Sequence, residues 1–273
     1  MNDLISVVVS TYERPDALAA VLRGLSRQSD RNFEAIVADD GSGPATAAVI
    51  AQWTEKLGVR LAHARHEHAG FRAAEIRNRA IVASKGDYCI FLDGDCIPRK
   101  DFIAQHRRLA EPGWFVAGNR TLLSEQLTGD LLARELEPEQ WSLASLLGRR
   151  GINRLAPALR LPLGALRKAQ PNRWEGARTC NLAVARADFV RIDGFDASYN
   201  GWGLEDSDLA IRLIHAGVRR KDGRFATGVF HLWHKDNERT GLSANQARLD
   251  EVLRGDRVRA LRGLSSLGMP AHA

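Results

Sequence analysis

The sequence predicts an α/β fold: a mostly parallel central sheet flanked by helices, in a single domain with one inserted flap. Three observations predict it. Apolar runs rich in β-branched residues recur through the first hundred residues, as strands buried on both faces require. Helix-forming stretches separate those runs, which is the spacing of βαβ units. Polar clusters follow the runs, at Ser10-Thr11-Tyr12-Glu13-Arg14, Asp39-Asp40 and Asp93-Gly94-Asp95. They therefore lie outside the carboxyl ends of parallel strands, where such sheets bind ligands.

Taken in order, Ile5 to Val9 is the first strand, entered directly from Asn2-Asp3 with no basic region or cleavage site of a signal peptide. Pro15 opens a helix at its first turn, and Ala17 to Leu25 continues it. Phe33 to Ala38 is the second strand, Ala45 to Leu57 a helix, and Val59 to Ala62 a short third strand. Ala73 to Ser84 is helical, ends at Gly86, and leads into a fourth strand, Tyr88 to Leu92. From Leu122 to about Pro171 the periodicity degrades, with prolines at 138, 157, 162 and 171. Order returns at Thr179 to Arg186. A helix from Glu205 to Ala216 stops at Gly217, a residue suited to a left-handed cap. Phe225 to Trp233 reads as a strand and Ser243 to Arg262 as a basic helix. The chain thus divides into residues 1–121, a flap over 122–178, a second half over 179–240 and a helical tail over 241–273.

The chain has 273 residues, 44% hydrophobic and 26% charged, which excludes disordered, collagen-like and disulfide-scaffold classes. No window reaches the ~18 apolar residues of a spanning helix. Three cysteines without zinc-type spacing point to a reducing cytoplasm. The net charge of +6 is concentrated between Ser145 and Arg178, where eight basic residues face one acid, Glu175. Such a patch suits an anionic partner, or is a solvated face.

Asp93-Gly94-Asp95 sets two carboxylates at the ligand edge of the sheet, with glycine leaving room for a ligand. Carboxylates suit Mg²⁺ or Mn²⁺, often shared with a diphosphate, although Asp and Gly also build ordinary turns. Glu205, Asp206 and Asp208 occupy the first turn of a helix, where the dipole alone favours acids. The preceding Gly201-Trp202-Gly203 is a poor helix lead-in, and an indole beside carboxylates suits a sugar. His231 and His234 would diverge on a strand but converge on one ion in a turn.

In this order the motifs resemble the GT-A (Rossmann-like) nucleotide-sugar glycosyltransferases of family 2. The C-terminal half is similar to enzymes of the β-1,4-galactosyltransferase and chondroitin-polymerase type. Val7 to Arg14 matches the family's first strand and nucleotide loop, Ala38 to Ser42 its second, Asp93-Gly94-Asp95 its Asp-x-Asp signature, and Gly201 to Asp206 its Trp-Gly-x-Glu-Asp block. The resemblance spans about 4–121 and 179–240. It implies that Ser10, Tyr12 and Arg14 line the donor pocket, that Asp40 holds the uracil N3–H and that Arg72 contacts the nucleotide. Asp93 would approach the ribose or metal. Asp95 and His234, the latter followed by Lys235-Asp236-Asn237-Glu238, would ligate Mn²⁺ or Mg²⁺. His231 stands where those enzymes carry a methionine ligand. Trp202 and Glu205 would contact sugars, and Asp206, kept ionised by the helix dipole, would be the catalytic base. The implied activity is an inverting transfer from a UDP-sugar to a glycan or lipid-linked glycan in polysaccharide or lipopolysaccharide synthesis. Arg248, Arg254, Arg257, Arg259 and Arg262, with the basic flap, would favour peripheral contact with an anionic membrane.

A sugar-nucleotide pyrophosphorylase needs a glycine-rich phosphate loop where this chain has Ser10 to Arg14. A nucleic-acid binder would carry a recognisable motif, and none is present. A carbohydrate-binding relative without catalysis would not need Asp93, Asp95, Asp206 and His234 together.

Overall fold

The computed structural model describes residues 3–235 and 241–268; Asn2, Asp236, Asn237, Glu238 and the last five residues lie outside them. A seven-stranded sheet has the order β3-β2-β1-β4-β8-β6-β9. Its strands are β1 (Ile5–Thr11), β2 (Phe33–Asp39), β3 (Leu61–Arg65), β4 (Tyr88–Asp93), β6 (Trp114–Ala117), β8 (Asn181–Ala185) and β9 (Arg219–Asp222). Only β8 runs against the rest, pairing antiparallel with both β4 and β6. A small second sheet sets β10 (Val229–His231) between β5 (Cys96–Pro98) and β7 (Arg120–Leu122). The helices are α1 (Pro15–Ser26), α2 (Pro44–Lys56), α3 (Ala73–Val82), α4 (Phe102–Leu109), α5 (Glu125–Ala133), α6 (Leu143–Leu147), α7 (Arg186–Arg191), α8 (Glu205–His215) and α9 (Leu242–Arg254).

Alternation along β1 explains the layering: Val7 and Val9 pack with α1 and α4 on one face, while Val8 packs with α3, α7 and α8 on the other. Covered on both sides, β1, β2 and β4 can be apolar throughout, which is why they read so clearly. The parallel register sets Ser10 beside Asp93 and Thr11 beside Asp39, so the polar residues after the strands share one edge.

Four sequence expectations change. The third strand is Leu61–Arg65 rather than 59–62; it is an edge strand of intermediate burial, so burial does not mark its ends. Residues 122–178, expected as a flap, contain short helices and bury Leu123, Leu127, Leu131 and Leu146 in the core beneath the small sheet. The strand expected over 225–233 is limited to β10. The last helix ends at Arg254, with Gly255 as its C-cap, and 255–262 is not helical.

The reason for that last difference is a set of carboxylates, three of them buried, that capture the arginines. Arg257 pairs with Asp196 (2.8 Å) and Asp208 (3.2 Å), Arg259 with Asp193 (3.5 Å) and Arg262 with Glu75 (3.6 Å). These three arginines are therefore not the membrane-facing helix surface expected of them. Among the described residues, no helix is long and apolar enough to cross a membrane.

Asp196 is fully buried. Burial alone would raise its pKa. Hydrogen bonds from the Leu261 N–H, the Ser198 N–H and hydroxyl, and the Arg257 guanidinium outweigh this and bring it down to about 2. A folded-state pKa below the unfolded value stabilises above pH ~4, and the stabilisation is lost as pH falls through about 2; a shift of this size is worth about 2 kcal/mol. Asp196→Asn should therefore lower stability at pH 7 by about this amount and flatten the acid limb of a denaturation curve between pH 4 and 2. A variant with the wild-type acid limb would show that the carboxylate does not contribute this term.

Candidate active site

The loops after β1, β2 and β4, the start of α8 and the end of β10 line one cleft of about 1570 Å³. Ser10, Tyr12, Arg14, Asp40, Asp93 and Asp95 line it; Trp202, Glu205, Asp206, His231 and His234 also line it. Of the residues expected in the site, only Arg72 does not line the cleft.

Close backbone packing shapes the first wall. Gly94 donates its N–H to the Ser10 carbonyl at 2.7 Å, and a Cβ at Gly94 would lie 2.8 Å from that oxygen. The glycine in Asp-Gly-Asp thus leaves room for the end of β1, not for a ligand as expected. Tyr12 is exposed and stacks on His68, with ring centroids 4.3 Å apart and planes 14° apart. The His68 Nδ1 lies 3.0 Å from the Asp40 carbonyl. The buried Asp40 carboxylate contacts His66 Nε2 and accepts from the Arg72 N–H at 3.0 Å. The Arg14 guanidinium sits against Asp16 at 3.1 Å.

The Arg72 side chain departs from expectation. Its guanidinium reaches the Glu67 carbonyl and Glu75 (3.5 Å), so it meets the site only through the amide that holds Asp40. The arginine that does enter is Arg77, which sequence reasoning missed. It is 5% exposed and bridges Asp93 (3.2 Å) to Glu205 (2.9 Å), with a further bond to the Ser10 hydroxyl at 3.3 Å. Burial would lower its pKa, but the two carboxylates raise it, so it stays charged. Its signal is a lone arginine on the Ala73, Ala74, Ile76, Ala80, Ile81 face of α3, a face that otherwise packs in the core.

The helix lead-in is strained, as the Gly-Trp-Gly sequence suggests. Gly201, Gly203 and Leu204 have φ of +76°, +97° and +79°, and a left-handed leucine is rare enough to mark an imposed conformation. This turn brings Trp202 to the cleft wall and sets Glu205 and Asp206 at the first turn of α8. Asp206 was expected to remain fully ionised at neutrality. Instead, desolvation and then the neighbouring Glu205 charge raise its pKa to about 7, against the pull of Arg77, the Ser207 N–H and Arg178. The helix dipole falls off within one turn and does not offset desolvation and an adjacent like charge.

At the other end, β10 stops at His231, so His234 can turn back toward it; the two rings are 5.2 Å apart. Both face Asp95, His231 Nε2 at 3.6 Å from Oδ1 and His234 Nε2 at 3.4 Å from Oδ2. The His234 Nδ1 lies 2.9 Å from the Lys235 carbonyl, which can only accept, so Nδ1 carries the proton. In the neutral ring, Nε2 is then a bare lone pair facing a carboxylate oxygen. Such a pair needs a proton or a cation between its members. Burial favours the neutral His231 ring over the pull of Asp95, as a metal ligand requires, and raises the pKa of Asp95. One carboxylate and two imidazoles fit a divalent transition ion such as Mn²⁺.

The fold is an α/β fold of GT-A type, with one cleft at the carboxyl edge of its sheet. The family model for glycosyl transferase family 2 matches residues 6–159, and the model described as the N-terminal domain of galactosyltransferase matches residues 164–238. The chain belongs to glycosyl transferase family 2. Validoxylamine A glucosyltransferase of Streptomyces hygroscopicus subsp. jinggangensis is 28% identical over 265 residues, covering 92% of this chain and 60% of that protein. Hyaluronan synthase of Pasteurella multocida is 27% identical over 232 residues, covering 78% and 23% respectively. The chain thus spans less than two thirds of the length of these relatives. A mannosyltransferase from Pyrobaculum calidifontis, solved with GDP-Man and Mn²⁺, superposes with a TM-score of 0.61 at 18% identity over 92% of this chain and 64% of its own. S. aureus TarS 1–349 with UDP gives 0.63 at 13% identity over 96% and 68%. These two likenesses concern the fold alone.

Proposed function

We propose that the chain is an inverting, metal-dependent glycosyltransferase that moves a hexose or N-acetylhexosamine from a UDP-sugar to a hydroxyl of a glycan acceptor. One observation carries this reading: a single cleft is lined both by the Asp95, His231, His234 group and by Asp206 on a separate element. Tyr12, backed by His68, offers a face for the base, and Asp40, held by His66 and the Arg72 amide, an acceptor for the uracil N3–H. Ser10 and Arg77 hold Asp93 for the ribose. Trp202 presents a ring for the apolar face of a sugar. When bound at Asp95, His231 and His234, Mn²⁺ or Mg²⁺ supplies positive charge against the departing diphosphate. Asp206 accepts the proton of the acceptor hydroxyl as its oxygen attacks the anomeric carbon, and the bond to UDP breaks with its electron pair going to the diphosphate. The hyaluronan synthase relative supports a glycan acceptor; of the two solved structures, one holds UDP and the other GDP-Man with Mn²⁺, which supports a nucleotide-sugar donor and a metal without favouring uracil.

Calorimetry with UDP, GDP, CDP and dTDP tests the reading. UDP should bind tightest with Mn²⁺ present. Omitting Mn²⁺, or Asp95→Asn or His234→Ala, should weaken it at least roughly tenfold, the smallest loss typical even of residues one layer behind a metal. Preference for another nucleotide, or UDP binding indifferent to Mn²⁺, would overturn it.

A further inference from the structure

The cleft continues beyond Asp206. A second cavity of about 410 Å³ opens beside it, with Arg120, Glu175, Gly176, Arg178 and Cys180 in the wall common to both. Six arginines line this cavity against two carboxylates, Asp222 and Glu175. Asp222 is taken up by Arg224 at 2.7 Å. Arg167 and Arg220 are held differently. Arg167 donates to the main-chain oxygens of Asp222 (2.7 Å) and Arg224 (2.9 Å), and Arg220 to those of Arg173 (3.2 Å) and Glu175 (2.7 Å).

Carbonyl oxygens fix a guanidinium in place without cancelling its charge. Burial is the main influence on both arginines and lowers their pKa against a weaker opposing pull from Asp222, so the fold keeps two cations partly desolvated and pre-positioned. An arginine stays charged under these conditions, and its planar fork matches a carboxylate or phosphate. The shared wall faces both halves of the cleft: Arg178 is close enough to Asp206 to favour its ionised form, and Arg120 is close enough to Asp93 and His231 to act on them. The donor's diphosphate has its own partners at Asp95 and the two histidines, which do not line this cavity.

We infer that the cavity is a subsite for an anionic substituent, carboxylate or phosphate, on the acceptor whose hydroxyl meets Asp206. This rests on the reading of Asp206 as the proton acceptor. It defines the acceptor as an acidic glycan, not a neutral one.

The test uses the full chain saturated with UDP and Mn²⁺, so that the donor site is filled. Binding of methyl β-D-glucopyranoside, methyl β-D-glucopyranosiduronate and glucose 6-phosphate is measured by calorimetry at low and high salt. At least one anionic sugar should bind tenfold or more tighter than the neutral one, with the advantage shrinking at high salt; which anion wins distinguishes carboxylate from phosphate. Arg167→Gln and Arg220→Gln should each remove most of the advantage, with UDP binding reporting that the cleft is folded. Equal affinity for the three probes in the wild type would overturn the inference, as would an advantage that survives in both variants. Failure of the glycosyltransferase reading shows separately, as loss of Mn²⁺-dependent UDP binding in the wild type.

Discussion

Asp206→Asn should abolish transfer, lowering kcat by roughly 10²–10⁴ or more, the usual contribution of a positioned proton acceptor. UDP binding with Mn²⁺, read by calorimetry, should persist. The wild type should also show an acidic limb: kcat falls as pH drops through about 7, because the protonated carboxyl cannot take the hydroxyl proton. Stability runs in the opposite direction. A carboxyl whose folded-state pKa is raised favours the fold while protonated, and this contribution is lost as pH rises through about 7. At pH 8 the neutral amide removes the cost of a desolvated charge beside Glu205, so the variant should be at least as thermostable as the wild type. Lost turnover with unreduced Tm would separate chemistry from folding. Wild-type turnover in Asp206→Asn would remove Asp206 from the mechanism.

Arg77→Met should be the most damaging single change to the fold around the cleft. The guanidinium is buried between Asp93 and Glu205, whose side chains are 30% and 9% exposed. Deleting it leaves both charges without their cation, and breaking a buried pair in this way costs about 3–5 kcal/mol. For a chain of this size that is a fall in Tm on the order of 10 °C. Arg77→Lys should recover only part of it, because one ammonium cannot reproduce a fork bonded to two carboxylates on different elements. Both variants should also bind UDP more weakly, since Ser10 and Asp93 lose the group that orients them. Wild-type Tm in Arg77→Met would mean that solvent compensates the two acids.

What the sequence disclosed follows from where its residues are buried. Strands β1, β2 and β4 are covered on both faces, so continuous apolar runs marked them. Edge strand β3 is half-exposed and its limits were misplaced. The Asp93, Asp95, Asp206 and histidine groups were legible because unusual residues follow a strand or open a helix. Arg77 was not, since its partners lie 16 and 128 residues away and an isolated arginine in a helix looks like a solvated one. The arginine cavity was hidden for a similar reason. Its basic stretch was visible, but half of its character comes from Arg220 and Arg224 and from carbonyl anchors that no side-chain pattern reveals. The final helix was over-extended because an arginine-rich stretch gives no sign that buried aspartates pull it out of helical geometry.

Those aspartates tie the helix bearing Asp206 to a segment far along the chain. Asp208, two residues beyond the proposed proton acceptor, is clamped in the interior by Arg212 and by Arg257, which lies 49 residues further along. The seat of the helix bearing Asp206 therefore depends on a segment, residues 255–262, that does not itself line the cleft.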